Sequence, residues 1–247
     1  MDQRRGGSQL KIRKLLQGLL VVALACASAA ALRAQDLRLF IEGGVSSLHA
    51  KQYYQVYGAS FSSTYRTGNS FTVGGEYPIF KTLSAEGSYS RFRNNLAVTN
   101  YVNSTTPSDV IGYGIQGQRI SLDANAHSGK PIKGVRPYLV FGLDLNRFAP
   151  TSGGAALAQS RGFNGVSGTV LKTDDRMGYN FGGGFDIGIT RMLAVRIDAR
   201  DHVSRTPSYG LPGSATSSFG AYYPVTGKMN DLVFSAGFVI HFPFGYL

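Results

Sequence analysis

The sequence predicts an all-β fold, an eight-stranded antiparallel up-and-down transmembrane β-barrel, on three observations. Apolar and polar residues alternate with period two from residue 37 onward. Within the alternating segments every charged residue falls on one parity. The connections between segments are alternately short and long. Composition agrees. Glycine accounts for 32 of 247 residues without a Gly-X-Y period, and 43% of residues are hydrophobic, which excludes collagen and a disordered chain. The one cysteine, Cys26, permits no disulfide within the chain.

Residues 1–34 read as a cleaved secretory signal, and residues 35–247 as a single barrel domain. Arg4, Arg5, Lys11, Arg13 and Lys14 precede an apolar run at 15–27, followed by Ser28, Ala29, Ala30 and Ala31. Ala29 and Ala31 satisfy the small-residue rule for cleavage after Ala31; cleavage after Ala34 is the alternative. An uncleaved anchor fits less well, because Gln17 interrupts a run that is already short of the ~20 apolar residues a spanning helix needs. Ala23, Leu24 and Ala25 before Cys26 fit a lipoprotein signal poorly. Removing residues 1–34 leaves 19 bases and 13 acids, so the net charge falls from +11 to +6 and nucleic-acid binding loses its main support.

The eight segments follow in order. Leu37, Leu39, Ile41 and Val45 oppose Arg38 and Glu42; Phe71, Val73 and Tyr77 oppose Ser70, Thr72 and Glu76; Leu83, Ala85 and Tyr89 oppose Ser84, Glu86 and Ser88. Ile120, Leu122 and Ala124 oppose Arg119, Ser121 and Asp123; Leu139, Phe141 and Leu143 oppose Arg136, Gly142 and Asp144. Tyr179, Phe181 and Phe185 oppose Asn180, Gly182 and Asp186, and Val195, Ile197 and Ala199 oppose Arg196, Asp198 and Arg200. Leu232, Phe234, Ala236, Phe238 and Ile240 oppose Asp231, Ser235 and His241. Strands of about 9–11 residues cross a bilayer when tilted.

Alternation alone does not say which face is inside, since a soluble barrel that binds an apolar ligand shows the same pattern. Three features favour the membrane reading. Connections 47–67, 94–117, 149–173 and 204–229 are long, whereas 78–82, 128–134 and 188–192 are short. Phe40, Tyr77, Tyr89, Tyr138, Phe148, Tyr179 and Phe242 lie near segment ends, where interfacial aromatic girdles belong. The basic residues of the charged parity are all arginine, whose planar fork suits a confined interior better than lysine does. Eight strands enclose a lumen wide enough only for side chains. The sequence therefore predicts a lumen ion-pair network of Arg38, Glu42, Glu76, Glu86, Arg119, Asp123, Arg136, Asp144, Asp186, Arg196, Asp198, Arg200 and Asp231. An even strand count places both termini on one side, read as periplasmic.

Several stretches carry a family resemblance. Residues 136–142 (RPYLVFG), 178–186 (GYNFGGGFD), 193–201 (LAVRIDARD) and the closing segment 234–242 resemble strands of the OmpA-like small outer-membrane β-barrel family, in the version without a periplasmic peptidoglycan-binding domain. The resemblance covers the chain from about Leu37 onward. It implies the outer membrane of a Gram-negative-type cell, and a structural or surface-interaction role in the envelope. One departure is that Phe242 is followed by five further residues, where family members end on an aromatic.

Candidate chemistry is sparse. Gly112, Gly114 and Gly117 match G-x-G-x-x-G, but a strand rather than a helix follows, so no nucleotide site is expected. His49, His127 and His241 lack zinc-type spacing, and neither metal nor cofactor is expected. Two functional alternatives are a narrow small-solute channel and a lipid A hydrolase using His202 and Ser204 with Asp198 or Asp201. No catalytic residue is assigned. Lys51, Arg66, Arg91, Arg93, Arg147, Arg161, Lys172 and Arg205 lie in or beside the long connections, placed to meet anionic lipopolysaccharide phosphates. The expected partners are outer-membrane lipid and this glycolipid, with no nucleic acid and a monomeric state. Stretches 152–156 and 212–218, rich in Gly, Ser and Ala, read as flexible loop without a pocket.

Overall fold

The computed structural model describes residues 37–56, 59–102, 106–128, 134–214, 220–225 and 227–242. The expected signal and residues 243–247 lie outside them. The strands are β1 (Leu37–His49), β2 (Lys51–Val56), β3 (Ala59–Phe80), β4 (Leu83–Val102), β5 (Thr106–His127), β6 (Val135–Pro150), β7 (Asp174–Gly188), β8 (Leu193–Arg205) and β9 (Lys228–Phe242). One helix, α1 (Ser152–Arg161), follows β6. From β2 onward each strand runs antiparallel to the next, and β1 pairs with both β3 and β9. That double pairing closes a ring of eight. The ninth strand is no extra member: β1 pairs along Gly68–Glu76 of β3, and β2 continues the line along Ala59–Thr64.

Between the short turns and mid-barrel, the apolar parity faces outward. Leu139, Phe141 and Leu143 are 70%, 60% and 62% exposed, whereas Glu76 and Arg196 are fully buried. Ile41, Phe71, Leu122, Phe181, Ile197, Phe234 and Phe238 complete the outward band. This distribution suits a hydrocarbon surround, where a sheet must close so that no backbone edge is left unpaired. The alternative of an oily interior with charges in water is excluded at this level.

Towards the long-loop end the interior changes character. The inward series of β4 runs Ser84, Glu86, Ser88, Ser90 and then Phe92, Leu96 and Val98. In β3 the change uses a bulge. Three steps from Arg66 to Asn69 face two from Asn95 to Arg93 on β4, so one extra residue swaps the faces. Phe61 and Tyr65 are thereby buried inside, although they share odd numbering with the outward Phe71 and Val73. These residues join Leu48, Tyr113, Ile115, Phe148, Phe163, Tyr209, Tyr223 and Met229 in an apolar and aromatic core.

Three expectations are corrected here. Ring strands run 13–22 residues rather than 9–11, because much of 47–67 and 94–117 continues the sheet. Stretch 152–156 is helical, not flexible. Thr151 caps α1 by accepting from the Gly154 amide at 3.1 Å, and a Cβ on Gly154 would lie 2.3 Å from the Gly114 carbonyl oxygen, so only glycine allows the helix this close to β5. Finally, Phe40, Tyr138 and Phe148 are not girdle residues but point inward and are buried. Tyr89 and Tyr179 do face outward.

Candidate functional site

The interior is the only place where the fold concentrates chemistry among the described residues. Large inward rings fit because their cross-strand neighbours are glycine. A Cβ on Gly74 would lie 2.3 Å from the Phe40 ring, on Gly117 2.0 Å from Phe92, and on Gly184 2.7 Å from the Tyr138 hydroxyl. The high glycine content thus has a packing cause. The predicted nucleotide-like glycines lie within β5, and Gly117 serves as the seat of a ring.

Arg196 on β8 is the hub. Its Nε and Nη2 meet Asp186 at 2.7 and 3.1 Å, Nη2 also meets Glu76 at 2.8 Å, and Nη1 meets Glu86 at 3.2 Å. The Phe40 and Tyr138 rings flank the guanidinium at 4.9 and 4.8 Å. Arg200, four residues on and therefore on the same face, meets Asp198 at 2.8 Å, Glu86 at 2.7 Å and Asp123 at 2.9 Å. Arg38 donates to Glu76 at 3.0 Å. Asn180 bridges Asp123 and Asp144 at 2.8 and 2.9 Å, and Arg119 donates to Asp231 and Asn146, both at 2.7 Å. Glu42 accepts from Ser235 at 2.7 Å and lies 4.0 Å from Arg196 Nε.

Twelve of the thirteen residues expected in the lumen are buried there. Arg136 is the exception. It stands half-buried at the turn end of β6 and donates to the Lys81 carbonyl at 3.4 Å, while its cross-strand neighbour Asp186 is taken by Arg196. Sequence reading missed the neutral members. Ser84, Asn125, Tyr138 and Asn180 all hydrogen-bond to the carboxylates, and each shares the parity of the charges, which was the available signal.

Two groupings have the composition of a catalytic triad without its geometry. His202 Nδ1 lies 2.9 Å from Asp144, not from Asp198 or Asp201, and both His202 and Ser204 are buried inside the barrel, away from any outer lipid. The Ser204 hydroxyl donates to the Arg205 carbonyl at 3.4 Å. At the turn end, His127 Nε2 lies 2.6 Å from Glu76 and 2.9 Å from Ser84 Oγ. A triad needs the acid on one ring nitrogen and the nucleophile on the other; here both share Nε2. Among the described residues no group of His, Cys, Asp or Glu is arranged to hold a metal ion.

Above the charges, the aromatic cap is tied by hydroxyls. Tyr65 and Tyr209 share a hydrogen bond at 2.8 Å, Tyr223 meets Ser63 at 2.7 Å, and Tyr54 donates to Asn164 at 2.8 Å. The Phe163 ring packs at a tilt against Tyr113 and edge-on against Tyr223, with centroids 5.1 and 5.4 Å apart. Asp174 accepts from the Ser208 amide at 2.7 Å and from Arg176 at 2.6 Å, which fastens the β8–β9 connection to β7. Burial pushes the Tyr65 and Tyr209 hydroxyls well above the usual tyrosine range and Tyr223 up to about 12. Folding therefore holds these phenols neutral. The stability they contribute is complete below pH ~10 and is lost as the pH climbs from there through their folded values. A titration monitored by tyrosinate absorbance and near-ultraviolet circular dichroism should show loss of cap signal only above pH ~10, with ionisation delayed beyond that of free tyrosine. Ionisation at the free-tyrosine pH would contradict the buried, bonded hydroxyls.

The eight cations expected at the loop end, Lys51, Arg66, Arg91, Arg93, Arg147, Arg161, Lys172 and Arg205, are all exposed. Arg91 and Arg93 point outward on β4, immediately beyond the lipid-facing Tyr89.

No curated protein is significantly similar to the chain in sequence. Among solved structures, the outer membrane protein OprG from Pseudomonas aeruginosa is similar over 85% of this chain and 96% of its own, with 14% identity and a TM-score of 0.55. The Neisserial surface protein A is similar over 83% of this chain and 97% of its own, with 17% identity and a TM-score of 0.47. OprG agrees with the fold described above. The model of the family described as outer membrane protein beta-barrel domain matches residues 18–242. The chain therefore belongs to that family of small outer-membrane β-barrel proteins.

Proposed function

We propose that this protein is a closed, non-catalytic barrel that carries a folded cap at the cell surface, with a structural or surface-interaction role in the envelope. The short turns and both termini then face the periplasm. The observation that carries the reading is the filled interior: a bonded layer of carboxylates and guanidinium groups lies beneath an aromatic core, and each layer blocks the lumen separately. A lumen filled in this way by the described residues argues against the channel alternative. The inward seats of His202 and Ser204 argue against a lipid A hydrolase. Planar-bilayer recording with purified protein should show no stable conductance steps. Large, regular steps would overturn the closed reading.

A lipopolysaccharide contact has its own support in the outward Arg91 and Arg93, at the upper edge of the apolar band. Guanidinium groups there meet anionic phosphates through charge-assisted bonds. The double variant Arg91→Ser, Arg93→Ser should retain less glycolipid after extraction than the parent, with an unchanged heat-modifiable gel shift. Equal retention would count against this partner.

A further inference from the structure

The lipid-facing band has a hollow near the short turns. On β6, Leu139 is 70% exposed because its cross-strand neighbours are Ala126 on β5 and Gly183 on β7, which set no bulk beside it. With Phe185 beyond, these small residues leave a groove of about 460 Å³. Pro137 and Ser128 line its short-turn end. His127 and Tyr138 also touch it, but their polar ends are turned into the lumen, where they bond Glu76 and Asp198. No acid is among the described residues that line it.

The rim beneath the groove has one sign of charge. The short turns 78–82, 128–134 and 188–192 hold Lys81, Lys130, Lys133 and Arg191, and no Asp or Glu. They also carry apolar bulk, since Ile79, Phe80, Ile189 and Met192 are all exposed. Apolar side chains beside cations suit a headgroup boundary better than open water. Of the described turn cations, Lys81 is nearest the groove in register. The His127 amide donates to the Thr82 carbonyl at 2.8 Å and Leu83 pairs with Ala126, which sets Lys81 beside Ser128. Arg136, the exception among the expected lumen charges, reaches across to the Lys81 carbonyl at 3.4 Å. The Gly188 amide donates to the Gly134 carbonyl at 3.0 Å, so Arg191, beyond it in the turn, stands further out.

We propose that this end of the barrel binds an anionic phospholipid of the phosphatidylglycerol type, with an acyl chain in the groove past Leu139 and Phe185 and the phosphate against Lys81 and Arg136. A headgroup of net negative charge satisfies a rim of cations, whereas a zwitterionic one brings an ammonium group among them. A second copy of the chain fits less well. A symmetric contact through the groove would bring two cationic rims together, with no acid in the short turns to offset them. The side of the membrane from which the lipid comes rests on the reading that the short turns face the periplasm; the chemistry of the site does not.

The test is native mass spectrometry of the full barrel, released from detergent holding equal amounts of phosphatidylglycerol and phosphatidylethanolamine with the same acyl chains. The barrel should retain phosphatidylglycerol with a preference of at least about fivefold, the factor one basic residue supplies near an anionic headgroup. Lys81→Ser should cut that preference about fivefold, whereas Arg191→Ser, which removes the same charge further from the groove, should leave it. Ala126→Leu, which fills the groove, should lower retention of both lipids. Glycerol phosphate, which has the anion without the chains, should not displace the lipid from the unmutated protein, a readout that needs no variant to fold. Equal retention of the two phospholipids, equal losses in Lys81→Ser and Arg191→Ser, or displacement by glycerol phosphate would overturn the proposal. Labelling of Lys81→Cys on intact cells by an impermeant maleimide tests the side separately. A labelled turn would overturn the periplasmic reading and leave the selectivity of the purified barrel as measured.

Discussion

Replacing Arg196 with alanine should destabilise the barrel by about 3–5 kcal/mol, the usual cost of removing one partner from a buried ion pair. The size follows from the geometry. One guanidinium serves Asp186, Glu76 and Glu86 and lies between the Phe40 and Tyr138 rings, with no exposure to solvent. Its loss leaves Asp186 without its guanidinium and takes one cation each from Glu76 and Glu86, which keep Arg38 and Arg200, at a level where the surround is hydrocarbon. Arg196→Lys should fall between the two, because an ammonium restores the charge but cannot bond three carboxylates with a planar fork or stack between two rings. Equilibrium unfolding in urea from lipid vesicles would measure both. A midpoint for Arg196→Ala within error of the parent would refute the central role given to this residue. The same variant should let water into the charged layer, yet bilayer recordings should remain silent while the aromatic cap is intact. Combining it with a cap variant should produce conductance that neither change produces alone.

The second large effect is expected in the cap. Phe163 is fully buried, and Phe163→Ala should cost about 3–5 kcal/mol of local stability, the range for a buried aromatic cut back to alanine. The lost ring packs against Tyr113 and Tyr223, and the Tyr113 hydroxyl donates to the Gly162 carbonyl at 2.6 Å beside it. The damage should stay local. Limited proteolysis should cut near α1 and the 206–225 connection much faster in the variant, while the heat-modifiable gel shift changes little. A barrel that unfolds as a whole would show that cap and ion-pair layer form one cooperative unit rather than two.

The two layers differ in how much of them could be read from sequence. The membrane-level half was legible because its signal is local. Period two fixes the face of each side chain, and the charges at Glu76, Asp123 and Arg196 could share one parity only if they shared one environment. Individual pairings were not legible: Arg196 is 110 residues from Glu86 and 120 from Glu76, and register across the ring decides who meets whom. Arg136 has the right parity but stands too near the turn. The cap escaped notice for a different reason. The extra residue between Arg66 and Asn69 moves the inward face from even to odd numbers, so the run from Phe61 to Tyr65 reads as irregular loop. Short glycine-rich runs such as 152–156 carry weak helix propensity, and the Thr151 cap and the fit of Gly154 against Gly114 hold the turn in place.

The pairing of β1 with both β3 and β9 bears on how the molecule is made. Arg196 comes from the second-last strand and takes Glu76 and Glu86 from early ones, so its contacts are satisfied only when chain-distant strands have come round to meet. Before then an incompletely assembled sheet would leave ionised groups turned towards lipid. Half-built intermediates at membrane depth are correspondingly penalised, and entry into the bilayer is coupled to the joining of first and last strands. Synthesis order alone cannot drive that event, so assembly should be slow and close to all-or-none.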